Sequence, residues 1–238
     1  MMMVQTRKAL SIDWLRLTNA GGKRSGLWWG LLIFLMPMVI MVIIPNVSSP
    51  LAGGLDGGVM GLLFSMSVMV PYALASVTAS GEVRRFDGVI PISKKAQVEG
   101  RYLFVFLACV LIVIDYCLCI AVHITFSHRW GDDSYLSTIV KIIFCFLALS
   151  LLINALLLPL LYRFTSQPLM SFVFFGCFFG VFLVGVLVSA VILKLPPSFV
   201  PWVMSHTWID ALIVVLIVVV AWTVSLSVSL RIYKRQEL

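Results

Sequence analysis

The stretch "GEVRRFDGVIPISKKAQVEG", Gly81–Gly100, is the longest charge-dense interruption in a chain made mostly of apolar runs. Within it or directly after it stand five basic residues, Arg84, Arg85, Lys94, Lys95 and Arg101, and three acidic ones, Glu82, Asp87 and Glu99. A short apolar run, Val89-Ile90-Pro91-Ile92, sits among them. Apolar segments flank the stretch, Val59–Ala79 before it and Tyr102–Phe126 after it. Four more follow the same pattern: Leu27–Ile44, Ser137–Tyr162, Leu169–Leu193 and Trp208–Leu230. Each reaches or approaches the length of a helix of about 27 Å, enough to cross a hydrocarbon layer. The expected fold is an all-α membrane protein with six transmembrane helices in one domain, residues 1–238.

Composition supports this reading. Of 238 residues, 61% are apolar and 11% charged, and the mean hydropathy is +1.09. Soluble domains carry about a quarter charged residues. Six spans leave little chain for a soluble catalytic domain. The net charge of +7 is not spread as a nucleic-acid face requires, so no nucleic-acid partner is expected. Five cysteines (Cys109, Cys117, Cys119, Cys145, Cys177) all lie in apolar runs and read as small packing residues. Cys117 and Cys119 stand two apart on a helix and face different ways. The first apolar run is long and has no small-x-small site near it, so it is expected to be a retained span.

Lysine and arginine set the orientation. Arg7, Lys8, Arg16, Lys23, Arg24, the five of the opening stretch, Arg163, Arg231, Lys234 and Arg235 make 14 on one side; Arg129, Lys141 and Lys194 make 3 on the other. Both termini and the loop of residues 80–101 are therefore expected in the cytoplasm. Ahead of the first span, residues 1–26 form a basic segment in which Leu10, Trp14 and Leu17 share a helical stripe, with Arg16 on another face. An amphipathic helix lying on the inner-leaflet lipids is expected there.

Catalytic patterns fail one by one. "LTNAGGKR" has Leu17 where a phosphate-binding loop needs its first glycine and Arg24 where it needs a hydroxyl. No histidine is followed by glutamate in a zinc-peptidase pattern, and no Gly-x-Ser-x-Gly elbow occurs. The chain is not expected to be an enzyme or to hold a cofactor or metal. His123, His128, Asp132 and Asp133 cluster at the far end of the third span and read as loop polarity. Asp115, midway along the third span, is the acid deepest in an apolar run, and such a charge belongs in the protein interior or in water. With Asn154 or Tyr116 as a neighbour, it is a candidate intramembrane polar site. Prolines and glycines inside the spans (Pro37, Gly61, Pro71, Pro159, Gly176, Gly180, Gly185) are tolerated in membranes, and Gly176-x-x-x-Gly180 has the spacing of a helix-packing face.

From these residues the loop resembles a family. The pattern is an acid, a variable stretch, an apolar-Pro-x-Ser/Thr-Lys/Arg element and a basic-aromatic pair opening the next helix. Here Glu82 supplies the acid, Ile90-Pro91-Ile92-Ser93-Lys94-Lys95 the central element, and Gly100-Arg101-Tyr102 the opening. This is similar to the ABC-2-type transporter permeases, in particular the small six-span membrane subunits of bacterial peptide exporters. Residue chemistry agrees: Pro91 suits a helix start and Ser93 is a good N-cap. Gly81–Asp87 reads as the first arm of a helix–turn–helix, with apolar Phe86, Val89, Ile90 and Ile92 rimmed by charge as on a docking surface.

The resemblance implies a coupling helix between spans two and three that docks a separate ATPase subunit. Glu82, Arg84, Arg85, Phe86, Asp87, Pro91, Ser93, Lys94 and Lys95 would lie at that junction, with ATP and Mg bound by the partner. It also implies a second permease copy or paralogue, export of an amphipathic or antimicrobial peptide or other hydrophobic cargo, and residence in the bacterial cytoplasmic membrane. A scaffold or immunity component that binds a partner without moving cargo is the alternative reading.

Overall fold

The structure is a computed structural model, and it describes residues 2–19, 35–37, 39–40, 61–75, 92–127, 133–164, 168–176, 179–180 and 207–235. Every one of these is helical except Ile92, Ser93 and Phe164. In hydrocarbon the backbone has no water to bond, so it satisfies itself within each helix. Five helices carry the argument: α1 (Met2–Asn19), α2 (Gly61–Ala75), α3 (Lys94–Ser127), α4 (Asp133–Arg163) and α5 (Thr207–Arg235). Of these, α3, α4 and α5 are long and apolar enough to cross a membrane, and they match the third, fourth and sixth expected spans. Helix α2 covers the middle of the second. The first and fifth are helical at 35–37, 39–40, 168–176 and 179–180 and otherwise lie outside the described residues.

One boundary differs from the sequence reading. The helix expected from Ser93 and the span expected from Tyr102 are a single element, α3, of 34 residues. Nothing between Lys94 and Tyr102 is strong enough to break it. A lone glycine, Gly100, costs a helix only about 1 kcal/mol.

The chain divides into two compact units, Met1–Ser150 and Leu151–Leu238. In the first, Leu63, Ile112, Tyr116, Cys119 and Phe146 form a buried core. The Phe146 ring stacks on Tyr116 at 5.4 Å and meets Phe64 edge-on at 5.8 Å. One turn further along both α2 and α4, the Ser67 and Ser150 hydroxyls hydrogen-bond at 3.2 Å. Positions rise together along the two helices, so α2 and α4 run in the same sense. Cys109 and Cys119 are buried while Cys117 and Cys145 are exposed, and all four are free thiols.

The second unit joins the later part of α4 to α5. Pro159 sits inside α4. Having no N–H, it cannot bond the carbonyl four residues back, which belongs to Ala155. The Ser225 hydroxyl of α5 donates to that same Ala155 carbonyl. Both residues are buried. The serine thus supplies the donor that the proline removes, the usual way a membrane helix tolerates proline. Two turns on, Tyr162 meets Tyr233 edge-on at 5.7 Å. Again the pairs rise together, so α4 and α5 also run in the same sense, as alternate spans of an up-and-down chain do. Gly176 and Gly180 are exposed, and a methyl group added at either would meet nothing within 4 Å among the described residues.

This pairing makes a specific expectation. Ser225→Ala strands the Ala155 carbonyl and costs about 1–2 kcal/mol. In a Pro159→Ala background the backbone N–H returns and the same Ser225→Ala change costs much less. Unfolding titrations of the four proteins in mixed micelles measure the coupling, and equal costs in both backgrounds would refute it.

Candidate functional site

The described part of the polar loop is its end, where α3 begins. Ser93 caps the helix as its sequence suggests. The Ala96 N–H donates to Ser93 Oγ at 3.4 Å, and the Gln97 N–H donates to the Ser93 carbonyl at 3.1 Å. The first satisfies a donor that a helix start otherwise leaves open, and the second is the first rung of the helix's own ladder. The Gln97 side-chain amide donates back to the Ile92 carbonyl at 3.3 Å and holds the incoming chain against the first turn. Lys94 and Lys95 are exposed on that turn. Lys95 lies 3.7 Å from Glu99, an i,i+4 surface pair. Pairs of this kind are worth about 0.2–0.5 kcal/mol.

A second element meets this start. The Ser93 hydroxyl, while accepting from Ala96, donates to Gln5 Oε1 of α1 at 3.0 Å. Farther along, Arg101 Nε lies 3.9 Å from Asp13 Oδ2. Asp13 is only 4% exposed. Between these two contacts the helices cross at Gly100. A methyl group there would sit 2.7 Å from Ala9 Cβ, 3.3 Å from the Thr6 carbonyl oxygen and 3.4 Å from the Leu10 nitrogen. The first obstacle is a methyl on a rigid helix and the others are backbone, so any side chain at position 100 pushes α1 away. Gly100 is there because the backbones touch.

The α3-facing stripe of α1 is therefore Gln5, Thr6, Ala9 and Asp13, small or polar residues spaced by about one turn. Lys8, Ser11 and Leu15 are exposed on another side. The sequence reading placed a lipid-facing stripe at Leu10, Trp14 and Leu17 and missed the stripe that packs. The run Gln5-x-x-x-Ala9-x-x-x-Asp13 marks that stripe, but the solvated face of an amphipathic helix has the same composition, so the sequence alone does not reveal its partner. Trp14 and Arg16 lie on α1, but their side chains fall outside the described residues, as do Glu82, Arg84, Arg85, Phe86, Asp87 and Pro91 of the loop.

Farther along α3, Asp115 faces the interior as expected, 4% exposed, and its Oδ2 has no hydrogen-bond partner among the described residues. Its neighbours one turn away on the same helix, Ile112 and Cys119, belong to the core of the first unit. Asn154, its suggested neighbour, is fully buried in the second unit. His123 is buried near the far end of α3. Among the described residues no group of three His, Cys, Asp or Glu side chains is placed to hold a metal ion.

The comparison with known families bears on the whole chain. A family described as "ABC-2 family transporter protein" matches residues 23–234. The chain belongs to the ABC-2 transporter family. No curated relative matches it. Membership in this family, together with three helices fit to span a bilayer, makes it a membrane protein of the permease type. In such a protein the charged start of α3 is a place of functional interest, because α3 carries it directly into the span.

Ser93→Ala removes both the cap acceptor and the donor to Gln5. The cap alone is worth about 1 kcal/mol, so amide exchange at residues 94–97 is expected to quicken about fivefold. Unchanged exchange there would show that Ser93 does not hold the helix start.

Proposed function

We propose that this ABC-2 family member is the membrane-spanning subunit of an ATP-driven exporter. The loop of residues 80–101 docks a separate ATPase subunit that binds ATP and Mg, and the cargo is an amphipathic peptide or similarly hydrophobic molecule. The observation that supports this most is the form of α3. A capped, charged start continues without a break into a span, so a push delivered at Ser93–Lys95 reaches the bundle core as a movement of one rod. Rigid elements of this kind convey domain motion into packed helices. A second copy or a paralogue completes the pathway, since six helices enclose too little space for a peptide.

Cargo identity rests on the character of the spans. Methionine and phenylalanine are frequent in them, and flexible thioethers and rings accept apolar passengers. The exposed Phe172, Phe175 and Phe179 are examples.

Phe86→Ala combined with Arg84→Glu and Arg85→Glu tests the docking loop. In proteoliposomes holding the chain and its ATPase subunit, ATP-driven movement of a fluorescently labelled amphipathic peptide is expected to fall by about tenfold or more. The amount of chain in the membrane stays the same. Undiminished peptide movement in this variant would overturn the docking role. If the unaltered chain and its ATPase move no peptide of a broad panel, the exporter reading itself fails.

A further inference from the structure

Helix α5 turns one side toward α4 and leaves the other exposed. On the first side, Ser225 donates to the Ala155 carbonyl and Tyr233 meets Tyr162 edge-on at 5.7 Å, with the fully buried Ser229 between them. On the opposite side Leu216, Val220, Val224, Val228, Arg231 and Arg235 run up the helix in steps of three or four, and all six are exposed. Steps of that size keep a row on one face. Lys234, three residues after Arg231, stands beside the end of the row and is exposed too. This face is therefore apolar along its length and triply cationic at its last turn.

The depth of the row matches one leaflet. Tyrosines gather where hydrocarbon meets water, so the Tyr162–Tyr233 pair marks that boundary beside the last turn of α5. At about 1.5 Å per residue, Val220 lies about 16 Å below Arg231, half of a hydrocarbon layer about 30 Å thick. The cations thus stand at the level of lipid phosphates and the valines at the depth of acyl chains. No acid answers the cations. Between Asp210 and Arg235 the sequence has none, and among the described residues Arg231, Lys234 and Arg235 are in no ion pair. A lone lysine reaching up to water needs no partner. Three cations on one face of one turn repel one another, and a ligand with net negative charge relieves that repulsion, whereas a zwitterionic headgroup brings an ammonium of its own. Arg163, exposed next to Tyr162 at the end of α4, adds a fourth cation at this level.

We propose that this face of α5 binds one anionic phospholipid. Arg231, Lys234 and Arg235 hold its phosphate, the arginines offering paired N–H groups that suit phosphate oxygens. An acyl chain lies along Val228, Val224 and Val220. The bound lipid supplies a contact on the side that α4 leaves uncovered and fixes the depth of α5 in the bilayer. Such a site serves a scaffold as well as an exporter, so it stands apart from the exporter reading.

Photo-labelling tests it. The full chain is placed in phosphatidylcholine nanodiscs with a trace of either phosphatidylglycerol or phosphatidylcholine carrying a diazirine in its acyl chain, and adducts are mapped by mass spectrometry. Phosphatidylglycerol is expected to label residues 216–228 about fivefold more than phosphatidylcholine does. In the Arg231→Gln, Lys234→Gln, Arg235→Gln variant that excess is expected to vanish, while labelling near Leu212, at the other end of α5, stays as it was. Added inorganic phosphate is expected to leave the excess in place, since it lacks the acyl chains. Should the variant be lost from the membrane, salt is varied on the unaltered chain instead. Raising it from about 0.1 M to about 1 M shortens the Debye length from about 10 Å to about 3 Å, and the excess is expected to fall severalfold. Equal labelling by the two lipids overturns the site, as does an excess that survives the triple change or, if salt is the test read, the added salt. Loss of the excess to inorganic phosphate shows an anion site only and overturns the lipid.

Discussion

A helix of 34 residues does not fit inside a membrane. At about 1.5 Å per residue α3 is about 51 Å long, whereas the hydrocarbon layer is about 30 Å thick. A large part of the helix must project, and the sequence decides which part. The apolar run begins at Tyr102, so the projecting turns are those that carry Lys94, Lys95, Glu99 and Arg101. One stiff element is therefore part span and part projection. The capped start, the crossing with α1 and the core around Tyr116 and Phe146 all hang on that continuity.

Helices α2 and α4 pack firmly against this element. In the first unit, Phe146 ties α3 to α2 through stacked and edge-on rings, and the paired Ser67 and Ser150 hydroxyls hold α2 to α4 a turn further along. In the second, Ser225 replaces the hydrogen bond that Pro159 denies to α4. Both devices solve a problem peculiar to lipid, where an unmatched polar group has no water to turn to. Asp115 departs from this rule, for its Oδ2 is buried without a partner among the described residues.

Much of this was legible in the sequence. The spans corresponding to α3, α4 and α5 announced themselves as apolar runs, the cap at Ser93 as a serine ahead of a helix-forming stretch, and the burial of Asp115 as a charge too deep to face lipid. What escaped was pairing. An isolated sequence shows that Trp14 and Leu10 share a stripe, but not that Ala9 and Asp13 are claimed by a glycine and an arginine far along the chain. In the same way Pro159 read as a tolerated kink, while the serine that tolerates it stands on another helix. The merging of the Ser93 helix with the third span was missed because charge was taken as a boundary, whereas the helix geometry passes through Gly100 and Arg101 undisturbed.

The central claim is that the projecting start of α3 meets an ATPase inside the cell. A photo-reactive benzoylphenylalanine in place of Lys94, activated by light in living cells, tests it most directly. It is expected to form a covalent adduct with the nucleotide-binding subunit, while the same group in place of Thr138, exposed near the start of α4, forms none. Adducts with that subunit from the Thr138 position and none from the Lys94 position would contradict the account.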